Sequence, residues 1–182
     1  MTKIFVVGMP ASGKTTFGAK LAKALNYSFV DLDKLIEENE NKSIAKMFED
    51  IGELGFREIE RFYLQGLKDL QHAVISTGGG SVAFLDNMEW MNSNGLTIYL
   101  EVDIATLIQR NTVNRRFRPL FADSSNEEIE EKMYFLMEKR VQFYELSTLV
   151  VNKQSVKTTN NISDNQQVNE VKEIINQIVD FR

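Results

Sequence analysis

The chain has 182 residues, 43% of them hydrophobic, a formal net charge of -5 and no cysteine. That length and apolar content suit one compact α/β domain, 1–182, around a single core. The missing cysteine excludes disulfides, a thiolate nucleophile and a sulfur-based zinc site. The acidic balance excludes a general nucleic-acid binder, which needs positive surface to displace counterions. The opening apolar run is cut by Gly8 and is too short for a signal peptide. No stretch reaches the length of a membrane span. A cytoplasmic protein is the default expectation, and a monomer is expected.

The first strand is predicted over 3–7, and a glycine-bounded turn follows it directly. Gly8-Met9-Pro10-Ala11-Ser12-Gly13-Lys14-Thr15 matches the phosphate-cradling pattern G-x-x-x-x-G-K-[ST] in full. Its glycines let successive backbone N–H groups turn inward, the helix behind adds partial positive charge, and Lys14 is placed to neutralise β- and γ-phosphate oxygens. Thr15 would offer its hydroxyl to a magnesium ion. Gly8, Ala11, Ser12, Gly13, Lys14, Thr15 and Thr16 are therefore the expected nucleotide contacts, with ATP and Mg2+ as the expected cofactors. The first helix begins near Gly13 and turns Phe17, Leu21 and Ala24 toward the sheet.

A second strand over 27–31 ends in Asp31-Leu32-Asp33. Two carboxylates there stand at the carboxyl edge of the sheet, where open α/β folds bind ligands. One can orient an acceptor hydroxyl and take its proton while the other attends to magnesium. A strand-end aspartate capping the next helix is the plain alternative, and Asp33 could serve both purposes. A helix is predicted over 54–70, with Ile59, Phe62, Tyr63, Leu67 and Leu70 on its apolar face. Arg57 and Glu60 share a face of it, and an exposed pair of that kind contributes little. His72, the lone histidine, receives no role.

The third strand, 73–76, lacks the acidic residue that often follows here in P-loop kinases, leaving Asp31 for the metal's outer shell. Gly78-Gly79-Gly80 then offers bare backbone for close approach of a ligand. A fourth strand is predicted over 96–101. The segment at about 110–125 has no clear periodicity, holds Arg110, Arg115, Arg116, Arg118 and Pro119, and reads as a mobile lid suited to clamping anions. Either Ser124 with Glu127 or Ser125 with Glu128 opens a helix through Glu145 carrying Arg140 and Tyr144. A fifth strand over 148–152 leads into Asn152-Lys153-Gln154-Ser155, a near match to N-K-x-D without the carboxylate that reads guanine. A polar loop, 152–167, precedes a final helix over 168–179. Strands alternating with helices imply a parallel sheet covered on both faces.

In order and approximate spacing, the P-loop, Asp31-x-Asp33, Phe56-Arg57-x-x-Glu60, Gly78-Gly79-Gly80, Arg118-Pro119-Leu120 and Arg140-x-x-x-Tyr144 resemble shikimate kinase over nearly the whole chain. The resemblance implies a three-layer P-loop NTPase fold, a five-stranded parallel sheet in the order 2-3-1-4-5 flanked by helices. It implies transfer of the ATP γ-phosphoryl group to the 3-hydroxyl of shikimate, with a substrate-binding helical segment at about 32–62. Carried onto this chain, Asp33 contacts the acceptor hydroxyl, Arg57 and Arg140 hold the carboxylate, and Glu60 holds Arg57. Gly78, Gly79 and Gly80 line the ring site, Arg118 closes over the phosphates, and Arg110 packs against adenine, a role Arg115 or Arg116 could also fill. Phe121 departs from the usual Leu after Arg-Pro-Leu. Rival readings are a gluconate kinase, a nucleoside monophosphate kinase, and an ATP-binding regulatory module without catalysis.

Overall fold

The computed structural model describes residues 3–114, 121, 124–152 and 168–174. Five strands, β1 (Lys3–Val7), β2 (Ser28–Asp31), β3 (Ala73–Ser76), β4 (Leu96–Glu101) and β5 (Leu149–Asn152), form one sheet in the order β2-β3-β1-β4-β5. Every neighbouring pair is parallel. The β1 and β3 strands are buried at every residue, as expected of strands covered on both faces.

Alternate residues of β1 enter different cores. Phe5 and Val7 join Ile75, Tyr99, Leu64 and Tyr144 on one face, whereas Ile4 and Val6 join Val74, Ile98, Phe17 and Leu21 on the other. Helix α1 (Lys14–Leu25) and the helical stretch at 168–174 supply the second face. The first is covered chiefly by α2 (Leu32–Glu40), α3 (Ile44–Gly66), α4 (Asn87–Asn94), α5 (Ile104–Val113) and α6 (Asn126–Tyr144). This gives the three layers expected from the alternation of strands and helices.

Local signals set several helix ends. Ser125 and Glu128 make the reciprocal capping box of α6, so Ser125 rather than Ser124 is the cap. Asp31 caps α2 by accepting from the Lys34 amide; Asp33 lies inside the helix, which corrects the view that it could double as the cap. Helix α3 starts ten residues earlier than the periodicity predicts, at Ile44 behind the Ser43 cap. The pattern is interrupted because Gly52 takes φ 70, ψ -179 and breaks the helix into two arms. Phe62, expected on the apolar face, is 73% exposed.

Candidate active site

The carboxyl ends of β1, β2 and β3 bring the first three motifs together. In the loop after β1, Gly8, Ala11 and Gly13 all take positive φ, and Gly13 precedes α1 directly. A side chain at Gly8 is excluded because its Cβ would lie 2.8 Å from the Leu100 carbonyl oxygen. The loop therefore depends on glycine where backbone from β4 crosses closely. Lys14 Nζ folds back and donates to the carbonyls of Gly8 and Met9, both at 2.9 Å, which holds the ammonium at the mouth of the loop. Ser12 is buried, and its Oγ has no hydrogen-bond partner among the described residues.

Thr15 Oγ1 donates to Asp31 Oδ2 at 2.8 Å, so the hydroxyl on α1 and the carboxylate ending β2 form one oxygen pair beside the loop. Among the described residues there is no cluster of three or more histidine, cysteine or carboxylate side chains that could cage a metal. The Thr15–Asp31 pair offers two oxygen donors, the ligand type that hard cations prefer.

Asp33 stands one helical step inward, half-buried on α2. Burial and the nearby Glu60 carboxylate, with a smaller push from Asp31, raise its pKa to about 6, against the opposing charges of Lys14 and Arg57. Asp33 and Glu60 converge on Gly78: a methyl there would overlap Glu60 Oε1 and lie 3.1 Å from Asp33 Oδ1. The glycine run is thus a place where two carboxylates and backbone share space.

The Arg57–Glu60 pair departs from the exposed pair that its spacing suggests. Glu60 is fully buried and Arg57 Nη1 donates to its Oε2 at 2.7 Å, while Arg57 Nη2 reaches Glu53 at 3.3 Å. The guanidinium lies 5.4 Å from the Phe56 ring centre and 5.9 Å from that of Phe48, and crosses Gly80. Phe48, Phe56 and the two carboxylates fix one planar cation at the edge of the glycine run.

Arg140 is buried on α6, and no ion pair joins it to a carboxylate among the described residues. Burial lowers its proton affinity, the Tyr144 hydroxyl one turn away partly offsets that, the Arg57 charge lowers it further, and the Glu53 carboxylate opposes Arg57. Tyr144 donates to the Gly79 carbonyl and stacks on Tyr99 with ring centres 5.0 Å apart. Burial pushes the Tyr144 phenol well above its ordinary range, so it stays a donor. Gly79 in turn packs against Pro10, where a Cβ would come within 2.9 Å of Cδ. Phosphate loop, glycine run and the end of α6 are in contact.

Arg110 stands in the last turn of α5, which corrects the irregular lid expected from residue 110 onward; its Nη1 donates to the Ala11 carbonyl at 3.1 Å and lies 3.4 Å from that of Ser12. With Gly13, Thr16 and Val168 it lines an open cleft of about 290 Å³. Arg115, Arg116 and Arg118 of the expected lid lie outside the described residues. Three further residues of the site belong to none of the sequence motifs: Ser81, which donates to Glu60, Glu53, and Tyr99 behind Tyr144. Glu53 stands four residues before Arg57, a usable helical signal. Ser81 and Tyr99 meet their partners only through tertiary packing.

A phosphate loop on a 2-3-1-4-5 parallel sheet, facing two arginines and an aspartate, defines a P-loop kinase. The family model for shikimate kinase matches residues 10–181. A shikimate kinase of Phocaeicola vulgatus is 42% identical over 144 residues, covering 79% of this chain and 82% of that one. The crystal structure of shikimate kinase from Bacteroides thetaiotaomicron superposes with a TM-score of 0.87 at 34% identity, covering 96% and 98% of the two chains. The solved structure of Acinetobacter baumannii shikimate kinase in complex with shikimate gives a TM-score of 0.83 at 29% identity, covering 97% and 94% of the two chains. The chain belongs to the shikimate kinase family and is an ATP-using enzyme.

Proposed function

We propose that this chain transfers the γ-phosphoryl group of ATP to the 3-hydroxyl of shikimate, giving shikimate 3-phosphate and ADP. The carrying observation is the pairing of Arg140, buried without a carboxylate partner among the described residues, with Arg57 close enough to feel its charge. Two neighbouring guanidiniums call for an anion between them, and an acceptor carboxylate satisfies both by charge-assisted hydrogen bonds. The complex named for the Acinetobacter baumannii relative supports shikimate as that acceptor.

On this reading Asp33 orients the 3-hydroxyl and takes its proton as the bond to phosphorus forms. Its raised proton affinity, about 6, keeps it largely ionised near neutrality while making it a better base than an exposed aspartate. Gly78, Gly79 and Gly80 admit the ring, and Glu60 keeps Arg57 in place. Lys14 and the amides of Gly8, Ala11, Ser12, Gly13, Thr15 and Thr16 hold the phosphates, and the unmet Ser12 hydroxyl has a partner in a phosphate oxygen. Arg110, on α5, borders the nucleoside, and Arg118, in a lid that begins beyond α5, adds charge over the transferring group. Rate then comes from alignment and electrostatic stabilisation.

Magnesium fits the Thr15–Asp31 oxygen pair, Thr15 as ligand and Asp31 through water, and when bound it neutralises phosphate charge. A single-domain, cytoplasmic, monomeric enzyme is the accompanying reading. Among the described residues no helix is long and apolar enough to cross a membrane.

The test is a coupled assay of ADP release with shikimate, gluconate and several nucleoside monophosphates. Turnover with shikimate alone is expected; turnover with gluconate or AMP and none with shikimate overturns the assignment.

A further inference from the structure

Each carboxylate oxygen of the buried Glu60 has its own donor. Oε2 takes Arg57 Nη1 at 2.7 Å, and Oε1 takes the Ser81 hydroxyl. Ser81 is itself fully buried in a short 3-10 turn, Ser81–Ala83. Its carbonyl accepts from Asn87 Nδ2 at 2.9 Å, and Asn87 Oδ1 accepts from Arg61 Nη1 at 2.8 Å. Arg61 also pairs with Asp86 at the surface. A continuous polar chain thus runs from solvent to the guanidinium assigned to the acceptor.

Ser81 stands where the chain is electrostatically exposed. The oxygen it satisfies is the one that faces Asp33 across Gly78, and the same methyl position at residue 78 is 3.2 Å from Ser81 Oγ. Without that hydroxyl, Oε1 becomes a buried acceptor with no partner, directed at a second carboxylate. The Glu60 side chain then has reason to rotate, and Arg57 follows, since its other anchor, Glu53, is 65% exposed.

We propose that Ser81 is a positioning residue for the acceptor: by fixing the Glu60 carboxylate it fixes the Arg57 guanidinium that holds the acceptor's anionic group. This rests on the assignment of Arg57 to that group. Ser81 touches neither substrate in this scheme and acts only through Glu60.

The experiment is a double-mutant cycle in the full chain, with steady-state constants for shikimate and ATP measured separately. Ser81→Ala is expected to raise the shikimate KM about tenfold, the loss of one hydrogen bond to a charged group, with kcat and the ATP KM within about twofold. In an Arg57→Ala background the same change is expected to add less than about twofold. Ser81→Cys keeps size with a weaker donor and is expected to fall between, which also serves if the alanine variant does not fold. An unchanged shikimate KM in Ser81→Ala and Ser81→Cys, while Arg57→Ala raises it, overturns the role of Ser81. A uniform loss of kcat with a lower Tm and no KM change also overturns it, because that is the mark of a merely structural residue. An unchanged shikimate KM in Arg57→Ala overturns the assignment beneath it.

Discussion

Arg57 lies across Gly80 so closely that a methyl group at residue 80 would overlap Nη2. An arginine tip ordinarily yields to such an intrusion, but this one is held by a fully buried glutamate. Gly80→Ala must therefore break or strain the Arg57–Glu60 pair. The expected result is a rise of about tenfold or more in the shikimate KM with the ATP KM little changed. Gly13→Ala is the opposite case. Nothing lies within 4 Å of its Cβ, yet φ 97 is left-handed, so the cost is backbone strain of about 1–3 kcal/mol in the phosphate loop. It is expected to raise the ATP KM and spare the acceptor, and two-substrate kinetics on the pair of variants separates the effects.

Burial also makes the Arg57–Glu60 pair a stability element. Arg57→Ala leaves a carboxylate at 0% exposure with only Ser81 as donor and Asp33 nearby. Breaking one side of a buried pair costs about 3–5 kcal/mol, against about 1 kcal/mol or less for an exposed one. Urea unfolding is expected to show the larger loss for Arg57→Ala, with part of it recovered in the Arg57→Ala, Glu60→Gln double variant. A loss confined to the exposed-pair range contradicts the burial argument.

What the sequence disclosed divides along physical lines. The β1 and β3 runs, the P-loop and the Ser125 box are local patterns whose meaning is set within a few residues, and the structure agrees with them. The start of α3 was hidden because one left-handed residue, Gly52, resets the helical phase. Phe62 misled for the related reason that the face of a long helix reads as apolar even where nothing covers it. The burial of Glu60 depends on Ser81 and Gly78, 21 and 18 positions away, so spacing alone suggested only a weak surface pair. Arg110 was likewise legible as a cation, but its reach to the Ala11 carbonyl spans 99 positions.

Asp33 gives a prediction in which activity and stability oppose each other. Its folded-state value, about 6, is above the ordinary 3.8, chiefly because of burial and then because of Glu60. The folded protein therefore holds this proton more readily than the unfolded chain, and stability falls as pH rises between about 4 and 6, then levels. Asn at this position carries no charge at any pH. Asp33→Asn is expected to lose most turnover yet gain on the order of 1–3 kcal/mol at pH 7 in the ligand-free protein, and almost nothing at pH 4. Thermal unfolding of both proteins at the two pH values measures it; an equal difference at pH 4 and pH 7 removes the electrostatic explanation.

Asp31 serves two purposes that one substitution can separate. It caps α2 through Oδ1 and accepts from Thr15 through Oδ2. Asparagine is as good a cap as aspartate, so Asp31→Asn is expected to leave Tm almost unchanged, whereas Asp31→Ala loses about 0.5–2 kcal/mol. Both remove the negative charge beside the Thr15 hydroxyl, where magnesium is proposed to sit. The magnesium concentration for half-maximal turnover is then expected to rise about tenfold in each, because groups that hydrogen-bond a metal's own ligands commonly govern about 10–100-fold in metal affinity. Thr15→Ala should raise the same requirement, and Thr15→Ser, which keeps the hydroxyl, should restore most of it. If Asp31→Asn titrates with magnesium like the parent while Asp31→Ala does not, the aspartate acts only through the helix cap, and the metal's second oxygen must be sought elsewhere.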